Sequence, residues 1–277
     1  MSSTAAKSAG AYDEQVLNAA AKGDVESLKK ALASGANVNA VDPKTGDTPL
    51  IVASHKATGD NEQNELAHHF VEVVDFLIKS GATVNATNND GATAVYNAVW
   101  NKNVEMVLRL IKGGANVNAS DHDGFTPLLD ACYNEHTDLA VILLSAGANV
   151  NAANNDGDRP LIVAAKKGNE DLVKILIKAG ANVNLSDNEG WTPLISAAYK
   201  GHRGVCKILL NAGANKNLCT ATEYESIPPN KDAAQVAATA GNTDVVALLK
   251  GPIHSIPFVG PVLSFVLRPF VNAFREH

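Results

Sequence analysis

Residues 187–219 read DNEGWTPLISAAYKGHRGVCKILLNAGANKNLC, and three earlier stretches align with them without a gap. The three stretches are Asn88–Ser120, Asp121–Ala153 and Asn154–Ser186. Each opens on a turn that contains a glycine and closes on a second turn that begins with Gly-Ala-Asn. A sequence that recurs in register every 33 residues predicts stacked copies of one supersecondary unit, in which neighbours bury one another's apolar faces.

The physical chemistry of one block predicts two helices joined by tight turns. Gly190 supplies the positive φ of the first turn, Thr192 is a candidate N-cap and Pro193 suits the first helical position. A short inner helix, PLISAAY, follows, and its alanines allow a neighbouring helix to approach closely. An outer helix such as LVKILIKAG, with apolar residues at i, i+3, i+4 and i+7, ends at Gly180. The same turn and helix-start positions are occupied by Gly91, Gly124, Thr126, Pro127, Gly157 and Pro160.

The recurring pattern G-x-TPL-x-x-A-A-x-x-G, followed by LL-x-x-GA-x-VN, closely resembles the ankyrin repeat over roughly residues 12–250. The resemblance implies an all-α ankyrin-repeat solenoid of helix-turn-helix repeats with projecting turn tips, about seven repeats counting both caps. It also implies a concave binding face and structural asparagines that bridge adjacent turns, at Asn39, Asn85, Asn118, Asn151 and Asn184. The histidine that usually follows the TPL triplet is replaced by Ile51, Tyr96, Leu129, Ile162 and Ile195, where we expect apolar contacts.

Breaks in the repeat place the boundaries of the parts of the chain. We expect residues 1–10 to be a disordered segment, residues 11–251 to be the repeat domain and residues 252–277 to be an apolar C-terminal tail. The second block carries an insertion near 56–68, which makes it 13 residues longer than the regular repeat. Because the insertion is polar, we expect a longer loop with Asp60 or Asn61 as a cap, followed by an extended outer helix.

Composition and charge favour a soluble binding protein. The net charge of −6 argues against a nucleic-acid partner, since binding to phosphates needs clustered Lys and Arg. No run of about 20 apolar residues predicts a membrane span. The three cysteines show no pairing pattern, which favours a reducing compartment. We therefore expect a cytoplasmic protein, with a nuclear location as the alternative.

The sequence carries no motif of catalysis, cofactor binding or metal binding. The eight histidines are scattered, without HExxH or paired CxxC spacing. Phosphate-binding glycine loops and the GxSxG motif of hydrolases are also absent from the sequence. We therefore expect no metal, no cofactor and no enzymatic activity.

Aromatic residues recur at two positions that the repeat predicts to lie on the concave face. One position follows the turn glycine and is expected to point outward at the tip, and the other is at the end of the inner helix. Aromatic rings dominate the binding energy of many interfaces. The alternative is that these rings only pack on neighbouring turn tips. The residues predicted to bind a partner are Trp100, Phe125, Tyr133, Asp158, Trp191 and Tyr199.

Acidic residues accompany these rings. Turns favour Asp for local hydrogen bonds, which accounts for part of the set. The remainder predicts a protein partner, a peptide or a domain, with a basic residue beside an apolar anchor. The acidic positions are Asp90, Asp123, Asp130, Asp156, Asp158 and Glu189.

The tail at 252–277 differs from the repeats because it is rich in Pro and Phe. It could fold back to cap the last repeat, dock on a partner or contact a membrane surface. Its docking candidates are Phe258, Phe265, Phe270 and Phe274. For the whole protein the sequence predicts an adaptor or scaffold. The alternatives are a structural subunit held by its tail and insertion, and a regulator that occludes a partner enzyme.

Overall fold

The computed structural model describes residues 3–56, 65–225 and 227–251, and their regular secondary structure is entirely α-helical. The fourteen helices of these residues form pairs, each consisting of an inner helix and then an outer helix. They are α1 (Ser3–Lys22), α2 (Val25–Ala33), α3 (Pro49–Lys56), α4 (Glu65–Lys79), α5 (Ala94–Trp100), α6 (Val104–Lys112), α7 (Pro127–Tyr133), α8 (Thr137–Ser145), α9 (Pro160–Lys167), α10 (Glu170–Lys178), α11 (Pro193–Lys200), α12 (Arg203–Asn211), α13 (Ala233–Thr239) and α14 (Thr243–Lys250).

The helices belong to two compact units, which divide between Asn155 and Asp156. Unit 1 contains α1 to α8, and unit 2 contains α9 to α14. Within each unit, inner helices pack on the inner helices of the next pair, and outer helices pack on outer helices. Ala131, Ala164 and Ala197 on the inner helices are fully buried, and their small side chains allow the close packing that the sequence predicts.

The predicted caps start the inner helices. The side-chain oxygen of Thr126 accepts a hydrogen bond from the backbone N–H of Leu129, and Thr192 accepts one from Ile195. Pro127 and Pro193 are the first residues of α7 and α11, where a missing N–H breaks no helical hydrogen bond. These positions confirm the helix starts that the sequence predicts.

Apolar side chains fill the core at the positions where the ankyrin repeat usually has a histidine. Ile51, Leu129, Ile162 and Ile195 are buried there, while Tyr96 is half-buried. The thiols of Cys132 and Cys206 are also buried and unpaired, as expected for small core residues. Packing of apolar groups therefore takes the place of an imidazole hydrogen-bond network.

Successive turn tips are joined by backbone hydrogen bonds. In unit 2 the N–H of Asn188 donates to the carbonyl of Asp156 at 3.2 Å, and the N–H of Ala221 donates to Glu189 at 2.7 Å. Such an approach requires glycine in the turn. Gly157 has φ 84°, and a Cβ there would lie 2.5 Å from the backbone nitrogen of Asn188. Glycine is needed for its conformation and for the space that it leaves.

Asparagine side chains bridge the loops that follow the outer helices. Each Oδ1 accepts a hydrogen bond from a backbone N–H of the next repeat, so four of the predicted asparagines are structural. The acceptor and donor residues, all at 2.7 Å, are Asn39 and Thr83, Asn85 and Asn116, Asn118 and Asn149, and Asn184 and Asn215.

The N-terminal region and the insertion show where the sequence and the structure differ. Helix α1 begins at Ser3, although the sequence predicts a disordered segment over residues 1–10. Alanine has the highest helix propensity, and three alanines within residues 3–10 favour the observed helix. Helix α4 is 15 residues long, against nine in α6, so its outer helix is extended as predicted. The candidate caps Asp60 and Asn61 and the tail at 252–277 lie outside the described residues.

We expect Gly157→Ala to destabilise the protein more than Gly213→Ala does. Both glycines have positive φ, but a Cβ at Gly213 has no atom within 4 Å. Each substitution strains the backbone by about 1 kcal/mol or more, and only the one at position 157 also opposes a turn-tip contact. Urea unfolding followed by circular dichroism measures the difference. Equal losses in the free energy of unfolding would show that conformation alone requires Gly157.

Candidate functional site

Three aromatic rings form a cluster in unit 2. Trp191 follows the turn glycine before α11, Tyr199 lies in the last turn of α11, and Tyr224 lies in the loop before α13. The ring centroids of Trp191 and Tyr199 are 5.3 Å apart, those of Trp191 and Tyr224 are 5.0 Å apart, and those of Tyr199 and Tyr224 are 6.1 Å apart. The ring planes are close to perpendicular, which is the edge-to-face arrangement that aromatic quadrupoles favour.

Trp191 does not point outward from the turn tip, so this part of the sequence prediction is wrong. Only 6% of its surface is exposed, and Ala92 at the same repeat position is also buried. The indole ring packs against Tyr199 and Tyr224 because this removes its apolar surface from water. Packing on a neighbouring turn, which the sequence leaves open as the alternative, describes this ring. Phe125 and Asp158 are half-buried.

A cleft of about 360 Å³, partly open to solvent, is bordered by this aromatic cluster. Asp158 and Trp191, both predicted from the sequence, line it together with Tyr199. Ile162, Ser196 and Tyr224 complete the walls. The remaining charged side chains of the lining are Lys166, Asp187 and Glu189. The structure therefore brings three of the six predicted binding residues to one cleft.

Hydrogen bonds position the walls of this cleft. One carboxylate oxygen of Asp187 accepts from the backbone N–H groups of Glu189 at 2.9 Å and Trp191 at 2.8 Å. Burial raises the pKa of Asp187 above its usual value. The hydroxyl of Tyr199 donates to the carboxylate of Glu225, and this bond raises the pKa of Tyr199 to about 12. The tyrosine is therefore held as a neutral hydroxyl against the acid.

The Nε1–H of Trp191 is buried and has no hydrogen-bond partner within the part of the chain that the structure describes. Among those residues, only one other buried side-chain atom shares this condition, the Oδ2 oxygen of Asp130 in unit 1. Buried polar groups are normally hydrogen-bonded. Both atoms belong to a turn and inner helix that also carry predicted aromatic residues, so they mark these two places as unusual.

Unit 1 has a simpler pair of rings at the equivalent repeat positions. The centroids of Phe125 and Tyr133 are 5.4 Å apart, with ring planes inclined at 45°. Asp130 lies between them in sequence, on α7, with 2% of its surface exposed. Its Oδ1 accepts from Asn134 at 3.2 Å, while burial raises the pKa of the carboxyl to about 6. Desolvation thus outweighs the hydrogen bond at this carboxyl.

Trp100 stands apart from the buried rings. It ends α5, at the inner-helix position that Tyr133 and Tyr199 occupy in their repeats, and it is 57% exposed. Val41 is the other large apolar side chain exposed to this degree in the described residues. The prediction that the end of the inner helix presents rings to solvent therefore fits Trp100 best.

Sequence patterns did not identify Tyr224 or Asp187 as parts of the cleft. Tyr224 lies outside the 33-residue register, in the irregular loop before α13, where it pairs with Ile227 in an isolated bridge. Asp187 occupies a turn position at which acids are ordinary. The docking candidates of the tail, Phe258, Phe265, Phe270 and Phe274, lie outside the described residues.

The described residues offer no cluster of three or more His, Cys, Asp or Glu side chains that could hold a metal ion. In the same part of the chain, no helix is both long and apolar enough to cross a membrane.

Comparison with known families gives a consistent result along most of the chain. The family described as ankyrin repeats (3 copies) matches residues 63–154 and 150–220. A second family, ankyrin repeats (many copies), matches residues 16–60. No curated protein matches the chain. The matched residues include both aromatic positions described above.

Asp130 is expected to make stability depend on pH. Its folded-state pKa of about 6 lies above the unfolded value of about 3.9, so the folded protein binds the extra proton between these values. Stability from this group is present at acidic pH and is lost as pH rises through about 6, by about 2–3 kcal/mol in total. Urea unfolding from pH 4 to 7 should show wild type losing stability relative to Asp130→Asn. Parallel curves for the two proteins would contradict the prediction.

The two tryptophans should differ in what they contribute to folding. Because Trp191 is buried among other rings, Trp191→Ala should cost about 3–5 kcal/mol. Trp100→Ala, at an exposed position, should cost less than about 1 kcal/mol. Urea-unfolding midpoints of the two variants provide the comparison, and similar midpoints would show that the ring cluster adds little stability.

Proposed function

The chain belongs to the ankyrin-repeat family, and from this premise we propose that it is an adaptor or scaffold acting through its aromatic and acidic surface. Ankyrin repeats are generally protein–protein interaction modules, and proteins built from them are typically non-enzymatic. The partner is a peptide or a domain that carries an apolar anchor beside a basic residue. The binding residues are the six predicted from sequence, divided between the two units.

The exposure of Trp100 carries this proposal. A tryptophan offers a large apolar area at a small cost in side-chain entropy, and tryptophans are enriched among the residues that dominate interface energetics. More than half of its surface is accessible at the end of α5. Covering that surface with a partner would release water from it and favour association.

The acidic side chains support the choice of partner. Asp158 and Glu189 line the cleft beside Trp191 in unit 2, and the protein as a whole has a net charge of −6. Complementary charge increases association rates and disfavours partners of the wrong sign. The free thiols Cys132, Cys206 and Cys219 fit a reducing compartment, so we place the protein in the cytoplasm.

Truncation of the exposed ring tests the proposed function. Tagged wild-type protein would first identify the partner by affinity purification and mass spectrometry, and binding would then be measured with both purified proteins. Trp100→Ala should weaken binding by more than about tenfold, since a central ring contributes about 2 kcal/mol.

Val41→Ala is the matched control, because Val41 is an equally exposed apolar residue outside the ring positions. It should bind the partner as tightly as wild type does. If Trp100→Ala also binds normally while it remains folded by circular dichroism, Trp100 is not part of the binding surface and the proposal loses its main support.

A further inference from the structure

We propose that the cleft of unit 2 is a subsite for one arginine side chain of a bound peptide, whose backbone carbonyl accepts a hydrogen bond from Nε1 of Trp191. This inference rests on the proposed function and adds to it the chemical identity of the recognised residue. It combines three features of the cleft, which are an unpartnered donor, an excess of negative charge and aromatic walls.

The donor is the first feature. Trp191 is 6% exposed, and its Nε1–H has no acceptor among the described residues. Leaving such a group unsatisfied costs about 1–3 kcal/mol. The side chain lines an open cleft, so a ligand that enters can provide the acceptor. A peptide carbonyl is the acceptor that every protein partner carries.

The charge of the lining selects the side chain. Asp158, Asp187 and Glu189 contribute three carboxylates, while Lys166 contributes one ammonium group. The two backbone N–H groups that bind Asp187 orient its carboxylate and leave its charge in place. A cation is therefore favoured in the cleft, and an acidic side chain is disfavoured.

The aromatic walls favour arginine over lysine. A guanidinium group is planar, stacks on aromatic faces and offers a fork of donors to carboxylates, whereas an ammonium group is compact and strongly hydrated. Tyr199 and Tyr224 provide rings, and the neighbouring carboxylates provide acceptors. The volume of about 360 Å³ is at the small end of ligand pockets, about 300–1,000 Å³, which suits one side chain with its backbone.

The corresponding place in unit 1 lacks the donor. Phe125 occupies the position of Trp191 there, two repeats earlier in the sequence, and its ring has no N–H. Ala92 occupies the same position one repeat earlier still, without a ring. The arginine subsite is therefore assigned to unit 2 alone among the described repeats.

Nuclear magnetic resonance of the full chain tests the subsite directly. The protein has two tryptophans, so a ¹⁵N-labelled sample gives two indole signals, which Trp100→Phe assigns. The probe is the blocked pentapeptide acetyl-Gly-Leu-Arg-Leu-Gly-amide, compared with versions that carry citrulline or lysine in place of arginine. We expect the arginine peptide to shift the indole signal of Trp191. Citrulline, which has the same shape without the charge, should bind at least about tenfold more weakly, and lysine should also bind more weakly.

Two substitutions separate the charge from the donor. Glu189→Gln should weaken binding of the arginine peptide several-fold, while Asp90→Asn should leave it unchanged, because Asp90 occupies the same turn position in a repeat without a ring after its glycine. Trp191→Phe keeps an aromatic ring and removes the donor. Followed through the amide signal of Ser196, it should weaken binding by about tenfold.

An unmoved Trp191 signal would overturn the subsite, as would equal binding of the arginine peptide and either substituted peptide. Equal losses for Glu189→Gln and Asp90→Asn would also overturn it. The proposed function fails separately. If Trp100→Ala still disrupts binding of the purified partner, the adaptor function stands and only the arginine assignment is lost.

Discussion

The hydrogen bond between successive turn tips is the constraint on which the described structure depends. A single helix pair cannot bury its own apolar face, so each repeat must lie against the next at a set distance. In unit 2 the bond from the N–H of Ala221 to the carbonyl of Glu189, at 2.7 Å, sets that distance at the tips. The asparagine bridge from Asn184 to Asn215 sets it at the opposite end of the repeat. Stacked inner helices with fully buried alanines complete the register.

The candidate site is a consequence of the same constraint. Glu189 lies two residues before Trp191, and Ala221 lies three residues before Tyr224. Their hydrogen bond therefore brings the irregular loop before α13 against the turn that carries the indole ring. The three rings then pack edge to face, and the carboxylates of the turns surround the opening that remains. One unsatisfied donor persists in this arrangement. Local departures from complete hydrogen bonding are expected at functional sites, where stability is exchanged for binding.

The aromatic positions show two uses of one repeat. Trp100 and Tyr199 occupy equivalent places at the end of their inner helices, yet the first is 57% exposed and the second is packed against two other rings. A ring that packs within the protein contributes to folding and shapes a cleft, whereas a ring left in water carries apolar surface that a partner can cover. The acid on α7, Asp130, is buried instead of being available at the surface, so it affects stability more than recognition.

The sequence by itself determined the all-α repeat architecture, the caps Thr126 and Thr192, the turn glycines and the buried positions of the inner helices. These features follow from local rules of backbone conformation, capping and helical periodicity, which recur in register and reinforce one another. Only the tertiary structure decided that Trp191 is buried, that Tyr224 joins it and that the indole N–H has no partner. Those facts depend on which side chains of neighbouring repeats meet across space. Tyr224 lies outside the repeat register, so no periodic pattern could place it beside a residue 33 positions earlier.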